Sequence, residues 1–309
     1  MSPAAECVQR LSMARRALEG LSIGDAFGER FFSSPHMVER LIEVRALAPG
    51  PWQYTDDTVM ALSVVDVLAE HGEIDRDRLA HLFGARYRLD PGRGYGGTAH
   101  HILDRIASGE PWFEVAPTVF GGGGSMGNGG AMRAAPIGAY FHDDLGHVVA
   151  EARKSAEVTH AHGEGQAGAV AVAVAAAYVA RGEARPSGLF ETVLSFTPDG
   201  ATRVVLEQAA RLPLESEVGE AVRALGNGTR VIAQDTVPFS LWCAARHLGD
   251  FEEALWTTVS GLGDRDTTCA IVGGILASDV ATAIPGAWSS ARESLSKMEK
   301  SLLGRHAGA

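Results

Sequence analysis

Four aspartates in two short stretches carry the strongest chemical signal in this chain. The first stretch, "PGPWQYTDDTVMALSVVDVLAEHG" at 49–72, sets Asp56 and Asp57 side by side after Thr55, where a Pro-marked loop gives way to an apolar run of helical spacing. The second, "GLGDRDTTCAIVGGIL" at 261–276, sets Asp264, Asp266 and Thr267 in a Gly-rich loop at the start of another apolar helix. Thr and Asp before a helix cap its free N–H groups and suit the positive end of its dipole, and two independent caps would account for both stretches. Yet Asp264 and Asp266 supply more carboxylate than one cap uses. Four carboxylates and two hydroxyls, with no His or Cys among them, make an oxygen-only donor set. Such a set selects hard cations, Mg²⁺, Ca²⁺ or Mn²⁺, over zinc or copper.

Bulk composition narrows the partners. A chain of 309 residues that is 46% hydrophobic and 21% charged can bury a large core. One compact domain over 1–309 is expected. A formal charge of −11 disfavours stable binding to nucleic acid or to anionic membranes, both of which draw on an excess of Lys and Arg. The three cysteines, Cys7, Cys243 and Cys269, have no CxxC spacing, which argues against a disulfide framework or a zinc-thiolate site and fits a reducing cytoplasm. The N-terminal stretch has no apolar block of the secretory kind, and the longest apolar run, "AGAVAVAVAAAYVA" at 167–180, reads as a buried helix.

To hold the two stretches, apolar spacing near 3.6 predicts helices over about 4–20, 58–71, 76–88, 97–108, 144–158, 164–181, 187–196, 201–211, 238–247, 250–260, 267–282 and 289–303. Strand-like "FEVAPTVF" (113–120) does not alternate with them, so the expectation is all-α. Gly-rich loops at 90–98, 119–136, 225–230 and 261–267 interrupt the helices, and "GRHAGA" (304–309) reads as a flexible tail. Gly122-x-Gly124-x-x-Gly127 matches a dinucleotide fingerprint, but Pro117 breaks the strand it needs and Pro136 the helix.

Read together, "TDDT" (55–58) and "GDRDT" (263–267) resemble the metal motifs of the ADP-ribosylglycohydrolase family. "GLSIGDAFGE" (20–29) is similar to its N-terminal Gly-Asp-Ala-x-Gly turn, "GSMGNGGAMRAAPIG" (124–138) to its Gly-Asn-Gly…Met-Arg…Pro loop, and "VTHAH" (158–162) to its Thr-His segment. The five motifs run in the family's order from about 14 to 282.

The resemblance implies a single, monomeric, all-α orthogonal bundle with a cleft for two Mg²⁺ or Mn²⁺ ions. It implies hydrolysis of the C1″ glycosidic bond of ADP-ribosyl groups carried by a protein, a nucleic acid or a small molecule. Thr55, Asp56, Asp57, Asp264, Asp266 and Thr267 would hold the metals, with Asp57 and Asp264 also serving catalysis. Gly124, Ser125, Met126 and Gly127 would cradle the diphosphate, with Asn128 and His160 beside them, while Met132 and Arg133 read as structural. Asp90, Arg93 and Tyr95, in "DPGRGYGG", lie where linkage preference would be set.

Two departures stand out. Phe32 occupies a position where many members carry a catalytic Glu, so acid–base work would fall to Glu29, to Asp25 or to water held by the cations. If none of them serves, the protein is a catalytically altered or inactive relative that binds ADP-ribose or acts structurally. Met126 stands where relatives often have an aromatic that stacks on adenine, so stacking would be weaker or supplied elsewhere.

Overall fold

Gly20, Gly24 and Gly28 recur every fourth residue and so share one face of a helix. In the computed structural model, which describes residues 3–182 and 184–296, that helix is α1 (Pro3–Glu29). The "GDAFGE" stretch, expected as a turn, forms its last turns. The reason is packing: a Cβ added at Gly24 would stand 2.0 Å from the Cys269 carbonyl oxygen, and one at Gly28 2.2 Å from that of Arg265. Backbone lies on backbone there, which offsets the poor helix propensity of glycine.

The remaining helices are α2 (Pro35–Glu43), α3 (Asp56–His71), α4 (Arg76–Leu89), α5 (Gly97–Ala107), α6 (Trp112–Val115), α7 (Val119–Gly122), α8 (Ala135–Tyr140) and α9 (Leu145–Glu157). They continue with α10 (Gly163–Ala180), α11 (Pro186–Phe196), α12 (Ala201–Arg211), α13 (Val218–Leu225), α14 (Ala233–Arg246), α15 (Phe251–Ser260), α16 (Arg265–Ala277) and α17 (Gly286–Ala291). Among the described residues there is no strand, only isolated bridges of Trp52 with Arg292 and Gly127 with Ile232. The fold is a compact all-α one, as expected.

The differences from the sequence reading are local. "FEVAPTVF" folds into α6, a 3₁₀ turn and α7, not a strand, and helices α2, α8 and α13 lie in stretches where no helix is expected. At nine, six and eight residues they are shorter than the stretch over which a helical period can be read. Helix α14 begins five residues before Pro238, and α17 ends at Ala291, after which the chain crosses extended over Trp52. The expected tail at 304–309 lies outside the described residues.

Helix α10 is long and apolar enough to cross a membrane, yet 72% of it is buried within the fold, packed on α8, α9, α11, α14 and α16. Helix α1 packs on α16, and α3 packs on both. An aromatic group of Phe27, Phe31, Trp52, Trp256 and Trp288 closes the end of α1. This arrangement brings the starts of α3 and α16 together.

Replacing Gly24 by Ala should destabilise the protein by about 1–3 kcal/mol, because a methyl group cannot fit between two backbones. Urea unfolding measures it, and an unchanged midpoint would contradict the α1–α16 contact.

Candidate active site

The first aspartate to place is Asp25, wholly buried on α1. Its carboxylate accepts the Thr55 N–H at 2.9 Å, the Thr58 N–H at 3.1 Å and the hydroxyls of Thr55 and Thr58. Asp25 thus caps α3 from a neighbouring helix, which frees Asp56 and Asp57 from much of that task. With its oxygens so engaged, Asp25 positions the loop and does not reach the cavity. The Thr55 hydroxyl lies 2.9 Å from Asp25 and 2.8 Å from Asp57 Oδ2, a single proton between two carboxylates.

The two acidic stretches meet. The Thr267 hydroxyl reaches Asp57 Oδ2 at 3.5 Å across 210 residues of sequence. Asp264 is fixed through its N–H to the Asn227 carbonyl at 3.1 Å and through Oδ2 to the Asn128 amide at 2.6 Å. Asn128 donates the same amide nitrogen to Thr236 at 3.0 Å, so it braces Asp264, a different task from the substrate contact expected of it.

Burial and crowding make these groups keep their protons to higher pH than free aspartates do. Burial, then Asp266, pushes Asp264 up to about 8, while burial, then Asp25, pushes Asp266 up to about 6. Asp56 and Asp57 rise well above the usual range through burial and their like-charged neighbours, and burial takes Asp25 to about 6.

A hard cation fits the donor set. Asp57 Oδ1 and Asp266 Oδ1 are buried with no hydrogen-bond partner. Such orphaned acceptors are lone pairs a cation would fill. Among the described residues no three His, Cys, Asp or Glu side chains close on one point as a preformed cage. A bound ion would therefore draw on mixed carboxylate, hydroxyl and water ligands.

Above the acids opens a cavity of about 630 Å³, lined both by Asp56, Asp264, Asp266 and Thr267 and by Ser125, Met126, Gly127, Asn128 and His160. Thr55 and Asp57 lie beneath this lining. Gly124 does not line it; its φ of +73° and its contact with Ala161 and His162 make it a turn residue. Tyr95 is buried edge-on against Tyr87 and is also outside the lining, as is Glu29, half-buried at the end of α1. Burial raises Glu29, and it stands close enough to help raise Asp266.

The glycine loop has fewer free donors than its composition suggests. The Gly124 N–H bonds to Val119, that of Gly127 to the Ser125 hydroxyl at 3.1 Å, and that of Asn128 to Val231. The N–H groups of Ser125 and Met126 and the Ser125 hydroxyl proton remain. His160 adds a donor through a relay: Arg133 donates to Thr159 Oγ1 at 2.9 Å, and Thr159 lies 2.7 Å from His160 Nδ1. The Thr159 proton then points to Nδ1, which assigns the proton of the neutral ring to Nε2. Burial and Arg133 hold His160 down at about 3, so the ring stays neutral.

Sequence reasoning missed Phe120, Arg230 and Val231, which also line the cavity. Phe120, 68% exposed, and Val231 hold φ of +53° and +54°, strain of the kind found at binding sites. Their Gly-rich neighbourhoods marked loops, but nothing in the pattern singled out these side chains.

His160 predicts a pH effect. A base whose folded pKa lies below its unfolded value binds its proton more readily when unfolded, so between about 3 and 6.5 it costs stability as pH falls. His160→Gln should therefore gain stability relative to wild type on going from pH 7 to pH 4. Urea unfolding at both values checks it, and an equal difference at the two would contradict the burial of a neutral ring.

The comparisons agree with this geometry. The profile of the ADP-ribosylglycohydrolase family matches residues 7–308. ADP-ribosylhydrolase ARH3 from Homo sapiens is 29% identical over 86% of this chain and 84% of its own, and that from Xenopus tropicalis 30% over 90% and 87%. A solved "ADP-ribosylglycohydrolase-related protein complex" superposes with a TM-score of 0.69 at 26% identity, covering 94% of this chain and 96% of the other. With its motifs, fold and relatives in accord, the chain belongs to the ADP-ribosylglycohydrolase family, a family of enzymes.

Proposed function

We propose that this protein hydrolyses the C1″ glycosidic bond of ADP-ribosyl groups, with divalent cations held where α3 and α16 begin. One observation carries the reading: a single cavity is lined both by the carboxylate cluster and by the glycine loop. An ADP-ribosyl group has matching parts, a distal ribose diol and the diphosphate that joins it to adenosine.

Asp56, Asp57, Asp264, Asp266 and Thr267, with Thr55 beneath them, would hold two ions, Mg²⁺ or Mn²⁺. When bound, these would keep the carboxylates ionised, grip ribose hydroxyls and stabilise developing charge. The chain's own groups do the rest. Ser125 N–H and hydroxyl, Met126 N–H and His160 Nε2–H donate to the diphosphate. Phe120 offers the exposed aromatic face that Met126 does not, and an adenine can stack on it. The apolar wall of Met60, Ile102, Leu103 and Met132 excludes water.

Glu29 is the proton carrier and, standing outside the cavity lining, would act through intervening water. Burial lets its carboxyl keep a proton to higher pH than a free Glu, and it sits at the Asp266 end of the cluster. It would protonate the departing group and take a proton from water on the return. Phe32, 48% exposed under the Arg265 guanidinium at 4.9 Å, carries no such group and favours a second reading, a protein that binds ADP-ribose without cleaving it.

Turnover separates the two. Arginine-, serine- and nucleic-acid-linked ADP-ribose should be assayed with Mg²⁺ and with chelator. Release of free ADP-ribose from at least one linkage, abolished by chelator, is expected, and no release from any supports binding alone. Asp266→Ala should lower activity roughly 100-fold together with cation affinity. Phe120→Ala should raise KM about fivefold with kcat nearly unchanged, as lost stacking of ~1 kcal/mol would.

A further inference from the structure

Arg93, a candidate for setting linkage preference, does not line the cavity. Its guanidinium forks onto Glu293, with Nη1 at 2.6 Å from Oε2 and Nη2 at 3.1 Å from Oε1. The same Nη1 donates to the Tyr54 carbonyl at 3.0 Å, Nε donates to Asp90 at 2.8 Å, and the group lies 4.7 Å from the Tyr54 ring centre. We propose that Arg93 and Glu293 form a clasp that positions the Thr55–Asp57 loop, and that Arg93 is a positioning residue for cation binding. The inference rests on the cation reading above.

Three observations converge on this. Tyr54 immediately precedes Thr55, so a bond to its carbonyl acts one residue from the ligand stretch. The segment carrying Glu293 also holds Trp52 on both sides: Trp52 N–H donates to Ala291 at 2.6 Å, and Glu293 N–H donates to the Trp52 carbonyl at 2.8 Å. Residues 52 and 54 are thus pinned from the C-terminal side, while Asp25 pins Thr55 and Thr58 from α1.

The residue after Arg93 transmits its position directly. Gly94 lines the cavity, and a Cβ there would stand 3.4 Å from that of Thr55 and 3.6 Å from Asp56 Oδ1. Moving Arg93 moves the wall against which Asp56 rests. The pair is nearly dry, with 11% of the Arg93 side chain and 9% of the Glu293 side chain exposed. Removing one member of such a pair leaves a charge uncompensated, so its geometry is held firmly. The segment after the last acidic motif is therefore part of the site's support.

The test uses the full chain as Glu293→Gln, which keeps shape, as Arg93→Lys, and as the exchange Arg93→Glu with Glu293→Arg. Mn²⁺ binding without substrate is read by the electron paramagnetic resonance of free Mn²⁺, at a temperature where circular dichroism shows each variant folded. Either single substitution should weaken Mn²⁺ binding about tenfold, in the range for groups that orient metal ligands. The exchange should bind no better than the single variants, because a carboxylate at 93 cannot donate to the Tyr54 carbonyl and faces Asp90, and recovery to wild-type affinity would contradict the clasp. Folded variants with Mn²⁺ affinity within twofold of wild type overturn the clasp, whatever their stability. A wild-type protein that binds no Mn²⁺ overturns the cation reading and the clasp with it.

Discussion

The site depends on how closely α1 and α16 approach. Glycines on α1 bring the two backbones into contact, and a Cβ at Gly20 would stand 2.3 Å from the Gly273 carbonyl oxygen, two turns along from the contact at Gly28. Because the helices cannot slide without clashes, Asp25 has one position, and it lies where α3 must begin. Asp25 binds Thr55 and Thr58, Thr55 lies on Asp57, and Asp57 meets Thr267 at the start of α16. The loop closes on itself: one close helix pair fixes the relative place of both acidic stretches.

That closure has an electrostatic cost. Five carboxyls, Asp25, Asp56, Asp57, Asp264 and Asp266, gather in a partly dry space; burial raises all five, and repulsion from neighbouring carboxyls adds to it at every one but Asp25. A fold under no functional demand would replace some with neutral groups. Only Asp25 has its oxygens met by several N–H and O–H donors. Among the remainder, Asp57 Oδ1 and Asp266 Oδ1 have no donor at all, an arrangement that positive charge relieves. The same economy holds elsewhere along the cavity, where the buried Arg133 supports Thr159 and His160 while keeping the His160 ring neutral.

Much of this was legible in the sequence, and the physical reasons differ by element. Long amphipathic helices such as α4, α9 and α12 showed their period because one face is buried and the other wet. Pairing of "TDDT" with "GDRDT" was legible because carboxylates that exceed capping needs ask for another explanation. The helical course of "GDAFGE" was not, since its glycines suit a turn until a partner backbone is known to lie against them. Asn128 and Gly127 were assigned to substrate because sequence does not reveal which donors the loop uses internally. Arg93 was ambiguous for a related reason: its partner Glu293 lies 200 residues away, and no local pattern announces an ion pair of that range. Phe120 was hidden because a single aromatic beside a glycine run has no period.

The most direct test of the central claim is diffraction from crystals soaked with Mn²⁺ and ADP-ribose, using anomalous scattering to locate the metal. The account predicts Mn²⁺ peaks in coordination contact with Asp57 and Asp266, the distal ribose over them, and the diphosphate at Ser125 and His160. A ligand in the cavity with no metal peak between α3 and α16, or metal bound elsewhere on the acidic surface, would contradict it.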